Sequence, residues 1–400
     1  MRNLQRAIFS SVVASLVVSI GACGGGGSGA GGGVPSIATS KFLDSAVQGL
    51  TFRTTSGLTG TTGADGSFQH VPNELVTFSV GGANLGTTGG GFGAILTPAE
   101  LDTYADFTRA PTLNRVRFLM MLDSDRNPNN GITISGAVRT VAANWPAINF
   151  DTVNLDADPA VTSILSDVAT ADGQPASLPT TTNAQNHIFA TYTCIRSGLY
   201  LGSWSSTSPA GMGGNNAMIV DRLGHITLVF TDSTWHSIAW VSSNTSISSP
   251  NSAIFSGSPV STSAALNQTY DGTFRLTNST NYLSGLPSMG NGNYSNTSVV
   301  VNLPNGTVGM VYQGTALGNS SLIAFKMAIN GTSITGVATG ANMPALSLSG
   351  TASGGLLNGT IYYDGSAVGS FSAAIQSDGS IAGSFTAGTD SGALSACRSP

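Results

Sequence analysis

The chain has 400 residues, 14 Lys and Arg against 19 Asp and Glu, a net charge of −5 and only 8% charged residues. That is about a third of the usual charged share, while glycine is about twice as frequent as usual. With no basic cluster beyond the N-terminus, a nucleic-acid partner is excluded, because counterion release needs a row of cations. The polar surface must be built mostly from Ser, Thr and Asn, as in many secreted β-proteins.

The N-terminus begins with Arg2 and Arg6 and continues as an apolar run from Ala7 to Ile20. This is the pattern of a secretory signal peptide, too short to span a bilayer as a retained helix. The sequence that follows, Ile20-Gly21-Ala22-Cys23, resembles the lipobox of bacterial lipoproteins. The resemblance implies removal of residues 1–22 and a lipid on Cys23, the new N-terminus. Gly24, where inner-membrane retention would use Asp, points to the outer membrane, with the surface and periplasmic faces both open. Residues 23–40 are dominated by glycine from Gly24 to Gly33 and form a flexible linker.

Residues 41–96 read as a small β-module. Positions 47–53 alternate as one strand, Asp65-Gly66 marks a hairpin, and Val76–Val80 alternates cleanly before Gly81-Gly82. This order resembles the small β-sandwich modules related to the carboxypeptidase regulatory domain, which implies a structural or binding unit without catalytic residues.

Residues 97–193 read as helical. Thr97-Pro98-Ala99-Glu100 predicts a cap followed by a helix, and Pro111–Leu122 a helix apolar nearly all round at its C-terminal end. Further helices are expected from Asp158-Pro159 to Val168 and from Asn183 to Cys194, the latter carrying His187.

Residues 194–400 read as one antiparallel domain of short strands, a barrel or a sandwich, with a barrel favoured because it leaves no free edge. The predicted turns are at Gly224, Asp271-Gly272, Asn305-Gly306, Asn330-Gly331, Asn358-Gly359, Asp364-Gly365 and Asp378-Gly379. Recurrent strands start Gly306-Thr307-Val308, Gly359-Thr360-Ile361, Gly369-Ser370-Phe371 and Gly383-Ser384-Phe385. The fold class is therefore mainly β with a helical segment. It comprises a sandwich-like module, helices and a C-terminal barrel.

The succession of lipobox, glycine linker, Phe42-Leu43-Asp44-Ser45-Ala46-Val47-Gln48-Gly49, Leu122-Asp123-Ser124-Asp125 and Asn130-Gly131-Ile132-Thr133-Ile134 is similar to a family of uncharacterised proteobacterial lipoproteins. In texture, the glycine-rich strands resemble the barrel lobes of surface lipoproteins of the transferrin-binding type. Neither resemblance implies a reaction.

Once Cys23 carries lipid, Cys194 and Cys397 remain, an even pair in an oxidising compartment, and a disulfide between them is predicted. Asp123, Asp125, Asn127 and Asn129 place oxygens at alternate positions, as in a Ca²⁺ loop; two carboxylates would bind weakly, and the competing reading is a set of Asx turns. No other cofactor is expected. Pro128 and Ile134 stand where an EF-hand loop has Gly and Glu.

The four histidines, His70, His187, His225 and His236, lack zinc spacing, and Ser288 lies in Leu286-Pro287-Ser288-Met289-Gly290 rather than Gly-x-Ser-x-Gly. Acids such as Glu74, Glu100, Asp221, Asp232 and Asp364 read as local caps. Trp235 and Trp240 are candidate ligand contacts; being five apart, at most one lines an interior on a regular strand.

The expected function is non-enzymatic. The protein is read as lipid-anchored at the bacterial outer membrane, with a binding, adhesion or structural role and an unidentified ligand or surface partner. The alternative is a secreted hydrolase of polysaccharide or peptide, signalled by convergence of His225 or His236 with an acid and a Ser.

Overall fold

The computed structural model describes residues 36–399 except 153, 208–209, 232–236, 250–251, 258, 262–269, 277–281, 288–291 and 342. Within 206–212, at 230 and within 237–296 the description is of the backbone alone. Cys23, Trp235 and His236 therefore lie outside the described residues.

The N-terminal module has two main sheets. One is ordered β5 (Ser67–His70), β1 (Ala38–Phe42), β8 (Ile95–Leu96); the other β4 (Thr59–Thr61), β3 (Thr51–Thr54), β6 (Val76–Val80), β7 (Ala83–Thr87). Phe42 and Phe68 from the first sheet meet Phe78 and Phe52 from the second at ring separations of 4.7–5.6 Å, so the sandwich-like reading holds. The 47–53 strand is broken: β2 (Val47–Gln48) leaves to pair in parallel with β9 (Ile132–Thr133). The break falls at Gly49, whose φ of +83° favours glycine. Nor does Asp65-Gly66 close a hairpin. It carries the chain from β4 in one sheet to β5 in the other, and β5 pairs with β1.

Four helices follow: α1 (Ala110–Met121), α2 (Gly136–Ala142), α3 (Pro159–Asp172) and α4 (Thr181–Arg196). Asp158 caps α3 by accepting from Ala160 N–H, with Pro159 at the first turn. Thr97 and Glu100 do form a capping box, but it opens only a 3-10 turn over Pro98–Leu101. The C-terminal part of α1 is buried as expected, with Phe118, Leu119 and Leu122 at 0% exposure. Helix α2, capped by Ser135, is an addition to the sequence reading. Module and helices share one core: Phe42, Val47 and Phe78 lie in the same cluster as Phe118, Val138 and Ile164. The expected boundary at 96/97 is therefore not a boundary in packing.

The strand-rich region expected as one barrel closes twice. In the first ring, β10 (Gly198–Thr207), β11 (Ala210–Val220), β12 (His225–Thr231), β13 (Ser237–Ser249), β14 (Ser252–Gly257), β16 (Tyr270–Leu276), β17 (Tyr282–Pro287) and β18 (Gly292–Ser298) pair in turn, and β18 returns to β10. A short β15 (Pro259–Ser261) pairs with β13. The second ring is an eight-stranded antiparallel meander: β19 (Met310–Gly318), β20 (Leu322–Asn330), β21 (Ser333–Gly340), β22 (Leu346–Ser353), β23 (Leu356–Tyr363), β24 (Ser366–Ile375), β25 (Ile381–Ala387) and β26 (Asp390–Arg398). Its inner residues, including Phe325, Ile334, Leu357, Phe371 and Phe385, fill it as a core.

Leu199, Ala217 and Ile219 of the first ring pack with Leu322 and Ala324 of the second. A closed barrel cannot sit inside another of eight strands, so this is the outer face of both. The alternate residues Tyr200, Trp204, Met218 and Leu228 consequently face inward, where they join Leu113 and Val116 of α1 and Ile188 and Tyr192 of α4.

Several predicted turns are correct: Asn330-Gly331, Asp364-Gly365 and Asp378-Gly379 link successive strands of the second ring. Asp271-Gly272 and Asn358-Gly359 instead lie within β16 and β23. At Gly359 the reason is visible: an added Cβ would lie 2.4 Å from the Phe371 ring on the paired strand. Gly306-Thr307-Val308 precedes β19 as a loop rather than a strand.

Candidate functional site

Disulfide Cys194–Cys397, with sequence separation 203, forms as predicted and joins the end of α4 to the last strand of the second ring. Above it opens a cleft of about 470 Å³ whose walls come from the module, the Asp/Asn loop, α4 and both rings. The module contributes Ser45 and Asp65, the Asp/Asn loop Asn129–Gly131, and α4 His187 and Thr191. Arg222 projects from the β11–β12 turn, while Asp378 and Arg398 come from the second ring. Arg222 Nη1 pairs with Asp378 Oδ2 at 3.3 Å, and Arg398 Nη1 donates to the Asn130 carbonyl.

Behind the wall sits Asp44, fully buried, with no hydrogen-bond donor to either carboxyl oxygen. His187 Nε2 lies 3.2 Å from the Asp44 carbonyl oxygen and 3.4 Å from Oδ1. Burial dominates both groups. It raises the Asp44 pKa well above its ordinary value and lowers that of His187 to about 4, so burial favours the uncharged form of each group. The next residue, Ser45, has a φ of +53°, uncommon for a non-glycine, and its N–H donates to Thr191 Oγ1 at 2.9 Å. A tight Leu43–Ala46 turn is thus pinned to α4.

The other described histidines are held separately. His70 Nε2 lies 2.9 Å from Ser40 Oγ and Nδ1 lies 3.0 Å from the Val71 carbonyl, with both side chains buried and the Phe68 and Phe92 rings alongside. His225 Nδ1 pairs with Asp221 Oδ2 at 2.9 Å on an exposed turn, where Asp221 also accepts from Leu223 and His225 N–H. Among the described residues, no Ser is recorded in hydrogen-bond contact with His225. Glu74 accepts from Ser56 and Val71 N–H, a local cap as expected.

In the Asp/Asn loop, Asp123 is fully buried; Oδ1 accepts from Thr133 N–H at 2.9 Å, while Oδ2 has no partner. The exposed Asp125 carboxyl lies against it and accepts from Asn127 N–H and Asn130 Nδ2. Burial lifts the Asp123 pKa to about 6 against the Thr133 hydrogen bond, and its contact with Asp125 adds to the rise. Arg126, at a φ of +59°, turns away to the Met121 and Asp123 carbonyls and to Asp172 Oδ2. Among the described residues no three His, Cys, Asp or Glu side chains gather as a metal set. Asn129 lines the cleft, and Asn130 is the amide that reaches Asp125. Trp240 lies on β13 opposite Val229 and Val260.

Cys194, Cys397 and Asn129 are legible in the sequence, whereas the cleft residues Ser45, Arg222 and Arg398, and Asp44 behind them, are not. The one available signal was Asp44 itself, an acid following the apolar pair Phe42-Leu43. No protein-family model and no curated protein matches the chain.

Proposed function

We propose that the protein is a non-enzymatic binding protein of the bacterial envelope, anchored by lipid on Cys23 and carrying its ligand site in the cleft above the Cys194–Cys397 disulfide. The observation that carries this reading is the construction of that cleft. Module, Asp/Asn loop, helix and both rings each supply part of its wall, and the disulfide clamps them. Ligand sites favour such junctions, where a few polar groups converge among apolar surface. The signal peptide and lipobox support export and anchoring, and Gly24 supports the outer membrane.

Cys23→Ala should move the protein from the membrane to the soluble fraction; continued membrane association would overturn the lipid anchor. Protease added to intact cells then reads the face. Loss of the protein means exposure to the medium, and survival until lysis means the periplasm.

A second reading concerns calcium. Two carboxyls in contact, one fully buried with an unpaired oxygen, need either a shared proton or a cation. Asp123 and Asp125, with the loop amides of Asn127 and Asn130, would hold one Ca²⁺ in the millimolar range typical of extracellular modules. Millimolar Ca²⁺ should raise the melting temperature relative to chelator, and Asp123→Asn should abolish that gain without lowering stability in chelator. An unchanged melting temperature in the unmutated protein removes the calcium reading.

A further inference from the structure

The whole chain contains two lysines, Lys41 and Lys326, separated by most of its length. Both line one cleft of about 410 Å³, distinct from the cleft above the disulfide. Lys41 is on β1 of the module. Lys326 is on β20, at the outward-facing register continued from Leu322 and Ala324, just beyond the contact between the rings. Lys326 is half-buried, and burial first, then the charge of Lys41, hold its ammonium below the usual lysine range. The two cations therefore feel each other across the cleft.

Ordinary roles for surface lysines do not account for this placement. Lysines often guard a free sheet edge, but β20 lies in a closed ring without one. Snorkelling accounts for a lone lysine on an apolar face, not for two like charges brought together. Among the described lining residues there is no carboxylate; Asp65 reaches Lys41 Nζ at 3.1 Å but lines the other cleft. Lys41 and Lys326 are the charged side chains among the described lining residues. Thr39, Ser197 and Gln313 add hydrogen-bonding groups, while Leu43, Ile95, Ile195 and Val299 line the rest with aliphatic surface.

We infer that this cleft binds an oxyanion carried on an apolar chain, the oxyanion between Lys41 and Lys326 and the chain along the aliphatic wall. The attraction follows from charge and partial desolvation, and the aliphatic wall separates such a ligand from a free inorganic anion. The inference goes beyond the disulfide cleft and does not depend on the lipid anchor.

Because there are only two lysines, reductive methylation of the full chain with ¹³C-formaldehyde, which keeps their charge, gives two lysyl signals to follow by NMR. Titration with hexyl phosphate should move both signals together to saturation. Inorganic phosphate should bind at least tenfold more weakly, and hexanol should move neither. Lys326→Gln should weaken hexyl phosphate at least tenfold with an unchanged melting temperature, and Lys326→Arg should restore most of it. Asp65→Asn, which removes that carboxylate from Lys41, should tighten binding severalfold. Static lysyl signals with 10 mM hexyl phosphate, or equal responses to hexyl phosphate and hexanol, would overturn the anion site. Equal affinity for inorganic and hexyl phosphate would overturn the apolar chain.

Discussion

The module and helices over 37–197 and the second ring over 310–398 are held together by different means. The first part buries Asp44, Asn114, Arg115, Arg117, Asp123 and His187, and its buried polar groups bond across long stretches of chain. Asn114 Nδ2 donates to the Phe150 and Thr152 carbonyls, Arg115 Nε to the Leu85 carbonyl, and Arg117 Nε to the Pro179 carbonyl. In the second ring, the described polar residues that are buried are Thr315 and Ser380. That ring rests on strand alternation, closure and glycines where a Cβ would strike a neighbour. A regular architecture can be specified residue by residue along each strand, whereas an irregular one needs side chains to satisfy carbonyls that no sheet or helix satisfies.

The largest expected effect tests the covalent link between these two parts. Replacing both Cys194 and Cys397 with Ser opens a loop with sequence separation 203. In the chain-entropy model such a crosslink stabilises by about 5 kcal/mol. Urea unfolding of the double variant should show a correspondingly lower midpoint; a loss under about 1 kcal/mol would mean that noncovalent packing alone holds the two parts together.

Next is a matched pair of substitutions. Asn114→Ala leaves one buried and one partly buried carbonyl without their donor and should cost about 2–3 kcal/mol, because an orphaned buried acceptor carries its full desolvation penalty. Gly359→Ala forces a methyl against the Phe371 ring and should cost about 1–2 kcal/mol. Asn114 contributes bonds and Gly359 contributes space. If Gly359→Ala were the worse, the ring would be the more tightly specified part. Melting temperatures of the two variants, measured side by side, decide this.

The smallest effect is read in a pH profile. Burial holds His187 at about 4 in the folded protein, below the ordinary histidine value of 6.5. Between 6.5 and about 4 the unfolded chain therefore takes up a histidine proton that the folded chain does not, and this group's contribution to stability is lost as pH falls through that window. Burial raises Asp44, so its contribution has the opposite sign and offsets part of that loss. Asp44→Asn removes the offset, so the acid loss between 6.5 and about 4 should steepen. Unfolding free energies of the two proteins from pH 3 to 9 measure this, and superimposable profiles would refute the opposed pair.

The same contrast sets what was legible in advance. Helices α1, α3 and α4 follow from apolar spacing and from caps such as Asp158-Pro159, which are local signals. Strand Val76–Val80 follows from its alternation, and the disulfide from the even pair of cysteines that remains once Cys23 is set aside. Helix α2 was hidden because Gly136, Val138, Thr140 and Val141 are poor helix formers, and its anchors, Val138 and Ala142, are supplied by the core. Asn358-Gly359 has the composition of a turn, and only the Phe371 ring on the neighbouring strand reveals why glycine is required there.

By itself, then, the sequence determined the class of the protein: β-rich, poor in charge, helical in the middle, and crosslinked near its end. These properties depend on composition and on neighbours within a few positions. Tertiary structure decided that the strands close into two rings rather than one, that β5 joins β1, that Asp44 meets His187, and that the two lysines share a cleft. Each of these joins residues far apart in the chain. Hydrophobic periodicity states which face of an element is buried but carries no information about its partner.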